Sequence, residues 1–171
     1  SDLVLSGEHT TVVLLKGEGG IGKTRLLSEF TGKLANQDLL VINGSGYSVE
    51  RSTPYYISRE ILRQLFGKKI QTVEQLKFEI KNVLKKSKNI SVRLTPLIND
   101  ILDLDEKEND LTGQMSGNIR ASNLTTLLIE LFRIKSGNKP ILIILDDAHW
   151  IDGASWSFIR LLKENLPEIG L

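Results

Sequence analysis

The sequence predicts an α/β domain built on a parallel sheet, and three observations carry that expectation. Short β-rich apolar runs alternate with helix-period segments along the chain. A glycine-dense loop, Gly17–Gly22, separates the first such run from the first helical pattern. An uninterrupted apolar run, Ile141–Leu145, has the composition of a strand covered on both faces and ends in two acids, Asp146 and Asp147.

In chain order, Thr10–Leu15 reads as the first strand, leading into the glycine loop. Leu26, Leu27, Phe30 and Leu34 follow at helical spacing, so a helix begins near Lys23. Leu39–Ile42 reads as a second buried strand, stopped by Asn43-Gly44-Ser45-Gly46. Thr53-Pro54 opens a helix with the stripe Ile57, Ile61, Leu62 and Leu65, and Gly67 ends it. Thr72 with Gln75 has the form of a capping box, ahead of Val73, Leu76, Ile80, Val83 and Leu84 on one face. Residues 109–120 read as a flexible connection. A long helix pattern then carries Leu124, Leu127, Leu128, Leu131 and Phe132, broken at Gly137–Pro140. After Ile141–Leu145, Asp152 is placed to cap a last helix that presents Trp156, Ile159 and Leu162. These segments group as 10–46 (first strand, loop, helix and second strand), 53–135 (a helical insertion between the second and third strands) and 140–165 (third strand and following helix), all within one partial domain over 1–171.

Composition narrows the function. The 171 residues carry 22 Lys+Arg against 21 Asp+Glu, a net charge of +1, which disfavours a basic nucleic-acid grip or a polybasic membrane patch. There is no Cys, which excludes disulfides, thiolate catalysis and Cys-ligated zinc, and with His9 and His149 alone a histidine-rich metal site is excluded too. No apolar run approaches the roughly 20 residues of a membrane span. Charge is nevertheless segregated. Residues 68–93 hold eight basic side chains against two acidic ones, and residues 100–110 hold six acids against one Lys. The plain reading is solvated faces; the sharper one is an interaction surface for another domain.

Two motifs carry chemistry. Gly17-Glu18-Gly19-Gly20-Ile21-Gly22-Lys23-Thr24 fits G-x-x-x-x-G-K-[ST], the phosphate-binding loop of nucleoside triphosphatases. Glycines let the chain wrap a phosphate with its backbone N–H groups pointing inward, and the helix that follows adds its positive end. Lys23 is placed to reach the β- and γ-phosphates, and the Thr24 hydroxyl to ligate Mg²⁺. The same residues also fit the dinucleotide pattern G-x-G-x-x-G, but the next strand ends at Asn43 without the acidic residue that reading needs. A kinase glycine loop fails as well, because Thr24 stands where Val is required. The second motif is the run ending in Asp146-Asp147, which puts carboxylates at the carboxyl edge of the sheet. Asp146 is the expected Mg²⁺ acid, and Asp147 the expected orienter of an attacking water.

Gly17–Leu27 and Leu145-Asp-Asp-Ala-His-Trp-Ile-Asp152 resemble the ATPase module of the AAA/STAND class, in particular its Orc-like AAA group, found in LuxR-type regulators and soluble class III nucleotidyl cyclases. Pro54-Tyr55-Tyr56, Leu94-Thr95-Pro96-Leu97 and Arg120 have similar counterparts there, so the resemblance covers roughly residues 10–165. Ala154–Ile159 looks most like the cyclase versions. The resemblance implies a P-loop three-layer sandwich in which Gly17, Glu18, Gly19, Gly20, Ile21, Gly22, Lys23, Thr24 and Arg25 bind ATP. It implies Thr24 and Asp146 as metal ligands, and Lys23 and Asp147 as the catalytic pair. It also implies that a central sensor strand and a lid lie outside this segment, which makes the segment marginal when isolated. Asp147 stands where faster members carry Glu, so slow, switch-like turnover is expected. The expected partners are ATP and other domains of the same polypeptide, with homo-oligomers open, in a cytoplasmic setting. The competing readings are a non-hydrolysing ATP-binding scaffold, an Orc-like DNA-associated ATPase and a small-molecule kinase. No Asn-Lys-x-Asp strand end is present, which favours ATP over GTP.

Overall fold

The computed structural model describes residues 12–34, 36–67, 70–137 and 139–166. In chain order they form α1 (Lys23–Leu34), β1 (Leu40–Ser45), α2 (Tyr56–Phe66), α3 (Val73–Lys86), a 3-10 stretch (Val92–Asp100), α4 (Gly117–Ser136), β2 (Ile141–Asp146) and α5 (Gly153–Asn165), with 3-10 turns at Ser48–Glu50 and Ala148–Trp150. β1 and β2 pair in parallel, from Leu40 opposite Ile141 to Ser45 opposite Asp146. The α/β class with a parallel sheet therefore holds, and among the described residues that sheet has two strands.

The first predicted strand is not among them. Thr10 and Thr11 lie outside the described residues, and Val12–Leu15 form no strand and are 43–69% exposed. A strand exists only where another backbone answers its N–H and C=O groups, and none of the described residues pairs with this run. The second strand runs further than expected, through Asn43 and Gly44 to Ser45. Its outer edge is served by a side chain: Gln64 of α2 accepts the Asn43 N–H at 3.0 Å and donates to the Asn43 carbonyl at 2.5 Å. Beside it, Glu60 stands one helical turn back against the Ser45 backbone N–H.

The core lies among α2, α3, α4 and the 3-10 stretch, which pack on one another, with α5 against α2 and α4. Leu124, Leu127, Leu128, Leu131 and Phe132 fall at helical spacing and bury one side of α4. Ile61, Leu62, Ile80, Leu97 and Ile98 are fully enclosed opposite. Phe132 meets Phe158 of α5 with ring centroids 6.3 Å apart. The Thr72–Gln75 capping box forms as expected, and Gly67 closes α2 with its N–H on the Gln64 carbonyl.

Three local expectations are corrected. α2 opens at Tyr56 rather than at Thr53-Pro54, because Tyr55 takes a left-handed conformation (φ 60°) with its N–H held by Asp152. Residues 109–120 are not a loose connection. Asn109 donates to the Arg93 carbonyl and receives the Leu111 and Thr112 N–H groups, while Arg120 reaches Asp100 through two bonds (2.8 and 2.7 Å) and Glu108 through one (2.9 Å). α4 begins inside that stretch, at Gly117. Finally, α5 buries Ser155, Phe158 and Leu162, leaving Trp156 at the surface, one position off the expected stripe.

Candidate functional site

Local sequence explains how the site is built. Gly20 and Gly22 adopt φ of 79° and 98°, values open to glycine at no steric cost, and a Cβ at either would meet nothing within 4 Å. The loop therefore turns tightly while leaving room along its glycine face. It delivers the chain into α1, where the Leu26 N–H begins the helical ladder on the Gly22 carbonyl and the first-turn N–H groups stay available to an anion. The Lys23 ammonium folds over the loop and donates to the carbonyls of Gly17 (2.8 Å) and Glu18 (2.7 Å). Ile21 is exposed, and Arg25 is paired with Glu29 one turn on (3.0 Å), away from the loop. Gly19 stands open like its neighbours, and Glu18 contributes its backbone carbonyl.

β2 supplies the other half. Its apolar residues commit it to the interior, so its last residue, Asp146, emerges at the carboxyl end of the sheet. The Thr24 hydroxyl donates to Asp146 Oδ2 at 2.8 Å across 122 residues of sequence. Asp146 Oδ1 accepts the Asp147 N–H at 2.9 Å. Asp147 sits in the left-handed region (φ 48°, ψ 43°), a backbone state costing on the order of 1–3 kcal/mol that clusters at functional sites. Its carboxylate is exposed and, among the described residues, bonded to no neighbour. The His149 and Trp150 rings meet tilted by 46° with centroids 4.7 Å apart, and the Arg51 guanidinium lies 5.9 Å from the Trp150 ring centre.

These residues fit a triphosphate with a divalent cation. The cradle has space where side chains would stand, one ammonium at its mouth, and two hard oxygen ligands side by side at Thr24 and Asp146. Among the described residues no group of three or more His, Asp and Glu converges into a metal cage. Thr24 and Asp146 could thus supply part of a ligand set of the kind Mg²⁺ completes with phosphate oxygens and water. The structure brings Gly17–Thr24 and Asp146 together, sets Asp147 beside them and leaves Arg25 outside.

Sequence reasoning missed Gly46, read there only as a strand stop. A Cβ on it would stand 2.5 Å from the Asp147 carbonyl oxygen and 3.0 Å from Trp150 Cβ, so the turn carrying Asp147 packs directly on its backbone. It also gave Asp152 a capping role alone, where the carboxyl reaches α2 as well. Asp152 Oδ1 caps α5 through the Ser155 N–H (2.8 Å) and also accepts the Tyr55 N–H (3.0 Å). Burial pushes this carboxyl up, but the hydrogen bonds from Ser155, Tyr55 and Tyr56 outweigh it and hold it below the ordinary carboxylate range.

Comparison with known proteins agrees with this geometry. A family model described as an AAA ATPase domain matches residues 3–170. Adenylate cyclase type 10 of Oryctolagus cuniculus is 23% identical over 164 residues, covering 95% of this chain and 10% of that protein. The proteins of the same name from Homo sapiens and Mus musculus are each 22% identical, over 166 and 160 residues. The chain spans a tenth of the length of these curated relatives. No solved structure matches significantly.

Proposed function

The chain belongs to the AAA ATPase domain family, and from that premise we propose that it is an ATP-binding, Mg²⁺-dependent and slowly hydrolysing regulatory module of a larger multidomain signalling protein. The observation that carries this reading is the 2.8 Å contact between Thr24 Oγ1 and Asp146 Oδ2. It joins the two motifs at one end of the sheet, where a single triphosphate can meet both. In this reading Gly17–Gly22 present backbone N–H groups to the phosphates and α1 adds its positive end. Lys23 exchanges the Gly17 and Glu18 carbonyls for phosphate oxygens. Thr24 and Asp146 hold the cation, which supplies neutralisation of the charge that builds on the terminal phosphoryl group.

Asp147 orients water from the solvent side. Since no neighbour among the described residues fixes its carboxylate, that orientation is loose and turnover is slow. Arg25 belongs to the rim of the site. The likeness to adenylate cyclase type 10 extends the reading to a nucleotidyl cyclase as the larger protein, with this module acting on its output.

The test uses the 171-residue chain and ATP with MgCl₂ in calorimetry and single-turnover assays. Lys23→Ala is expected to abolish binding. Asp147→Asn is expected to leave affinity within about threefold and to slow hydrolysis at least about a hundredfold, the lower end of general-base effects. Unchanged ATP binding in Lys23→Ala would refute the site. The unheld Asp147 carboxylate also favours a second reading, a module that binds ATP without hydrolysing it. That reading predicts no turnover in the unmodified chain and no effect of Asp147→Asn.

A further inference from the structure

Asp152 serves two helices at once. Its Oδ1 caps α5 and also holds the Tyr55 N–H at the entrance of α2, 97 residues away in sequence. Other contacts join the same two segments. The Gly46 N–H donates to the Asp146 carbonyl at 3.0 Å. Arg51 lies over the Trp150 ring, and the Ser58 N–H and hydroxyl both reach Ser155 Oγ, at 3.2 and 3.1 Å. Segment 46–58 is thereby fastened to segment 146–155, which begins with the two acids of the candidate site. The non-glycine residues with positive φ among the described residues are Tyr55, Asp105 and Asp147, so two of them stand at the two ends of this connection.

Tyr55 has an alternative close at hand. The local sequence Thr53-Pro54 favours a helix that opens two residues earlier, at Pro54, with Tyr55 in the ordinary helical region. The bond to Asp152 holds it in the left-handed state instead. Asp147 is held similarly, by its N–H on Asp146 Oδ1. A cation held between Thr24 and Asp146 Oδ2 re-aims the same carboxylate, which lengthens the bond from the Asp147 N–H to Oδ1 and loosens the turn that leads through Trp150 to Asp152.

We infer that Asp152 is a positioning residue that couples the candidate site to α2: nucleotide with Mg²⁺ loosens the Asp146–Trp150 turn, Asp152 releases Tyr55, and α2 extends toward Pro54. This rests on the ATP-binding reading above. The two-state element is the first turn of α2, and α2 packs on α3, α4 and α5, so its entrance is where the site reaches the helical part of the chain.

The test is backbone NMR of the full chain, with and without a non-hydrolysable ATP analogue and MgCl₂. In the unmodified chain, resonances of Thr24 and Asp146 are expected to shift, the Tyr55 Cα shift to move toward its helical value, and the Tyr55 amide to exchange at least about threefold faster. Asp152→Ser keeps an N-cap for α5 but is too short to reach Tyr55. It is expected to bind the analogue within about threefold of the unmodified affinity, with Tyr55 helical in both conditions. Shifts at Thr24 and Asp146 with Tyr55 unmoved, or with Tyr55 exchange slowed, would overturn the coupling alone. A Tyr55 response in Asp152→Ser equal to that of the unmodified chain would do the same. No shift at Thr24 or Asp146 would overturn the ATP reading and the coupling with it. If Asp152→Ser fails to fold by circular dichroism, the unmodified chain's Tyr55 response decides.

Discussion

Gly46 shows how little room a single residue leaves at this site. Its missing side chain is what lets the Asp147 carbonyl pass at a distance no Cβ tolerates. Gly46→Ala is expected to destabilise the chain by about 1–3 kcal/mol, the cost of forced shifts in a packed region, measurable as a lower urea midpoint at unchanged slope. Asp152 makes a pH prediction. Its folded pKa lies below the ordinary value of about 3.9, so its stabilising contribution is complete above that value and disappears as pH falls through the lowered one. The melting-temperature gap between the unmodified chain and Asp152→Asn should therefore be widest above the ordinary carboxylate range and narrow as pH falls below it. Of these two residues, the sequence made only half of one role visible. A cap is a local signal, readable from Asp152 and the apolar pattern after it. The partner 97 residues back, and the close pass at Gly46, depend on tertiary packing that no local pattern encodes.

Elements differ in the same way. α3 was fully readable, because a capping box and a four-residue apolar period are both contained within it. β2 and α1 were readable for the same reason, and with them Lys23, Thr24 and Asp146, since strand, loop and helix each announce themselves over a few residues. Of the expected strand Thr10–Leu15, the described part Val12–Leu15 forms none, because composition records β preference but not the presence of a pairing partner. β1 was cut short because its last residues are polar or glycine, whereas Gln64 supplies the hydrogen bonds that keep them extended. Gln64→Ala is expected to raise amide exchange at Asn43 at least about tenfold, with far smaller changes at Ile42 and Gly44, whose N–H groups face β2. Equal changes at all three would show that the side chain does not hold the edge.

At the scale of the molecule, the segregated charge turns inward. Lys77 (2.7 Å) and Lys81 converge on Glu106, tying α3 to the acidic loop, while Arg120 gathers Asp100 and Glu108. Part of what reads as two opposed surface patches is thus one internal clasp. Those bonds, Asp100 first, push the Arg120 guanidinium further above its ordinary value despite burial. Arg120→Met should cost about 1–2 kcal/mol, as it leaves Asp100 and Glu108 facing each other, and the loss should shrink in high salt as their repulsion is screened. Thermal melts of both proteins across a salt series check this. The flank of β1 has a consequence for crowded solutions. A foreign strand arriving there finds the Asn43 donor and acceptor already taken by an amide, whereas among the described residues no strand pairs with the far rim of β2. Fibres need two sticky borders per molecule and a pair needs one, so adhesion between copies should halt at twos instead of running on into filaments.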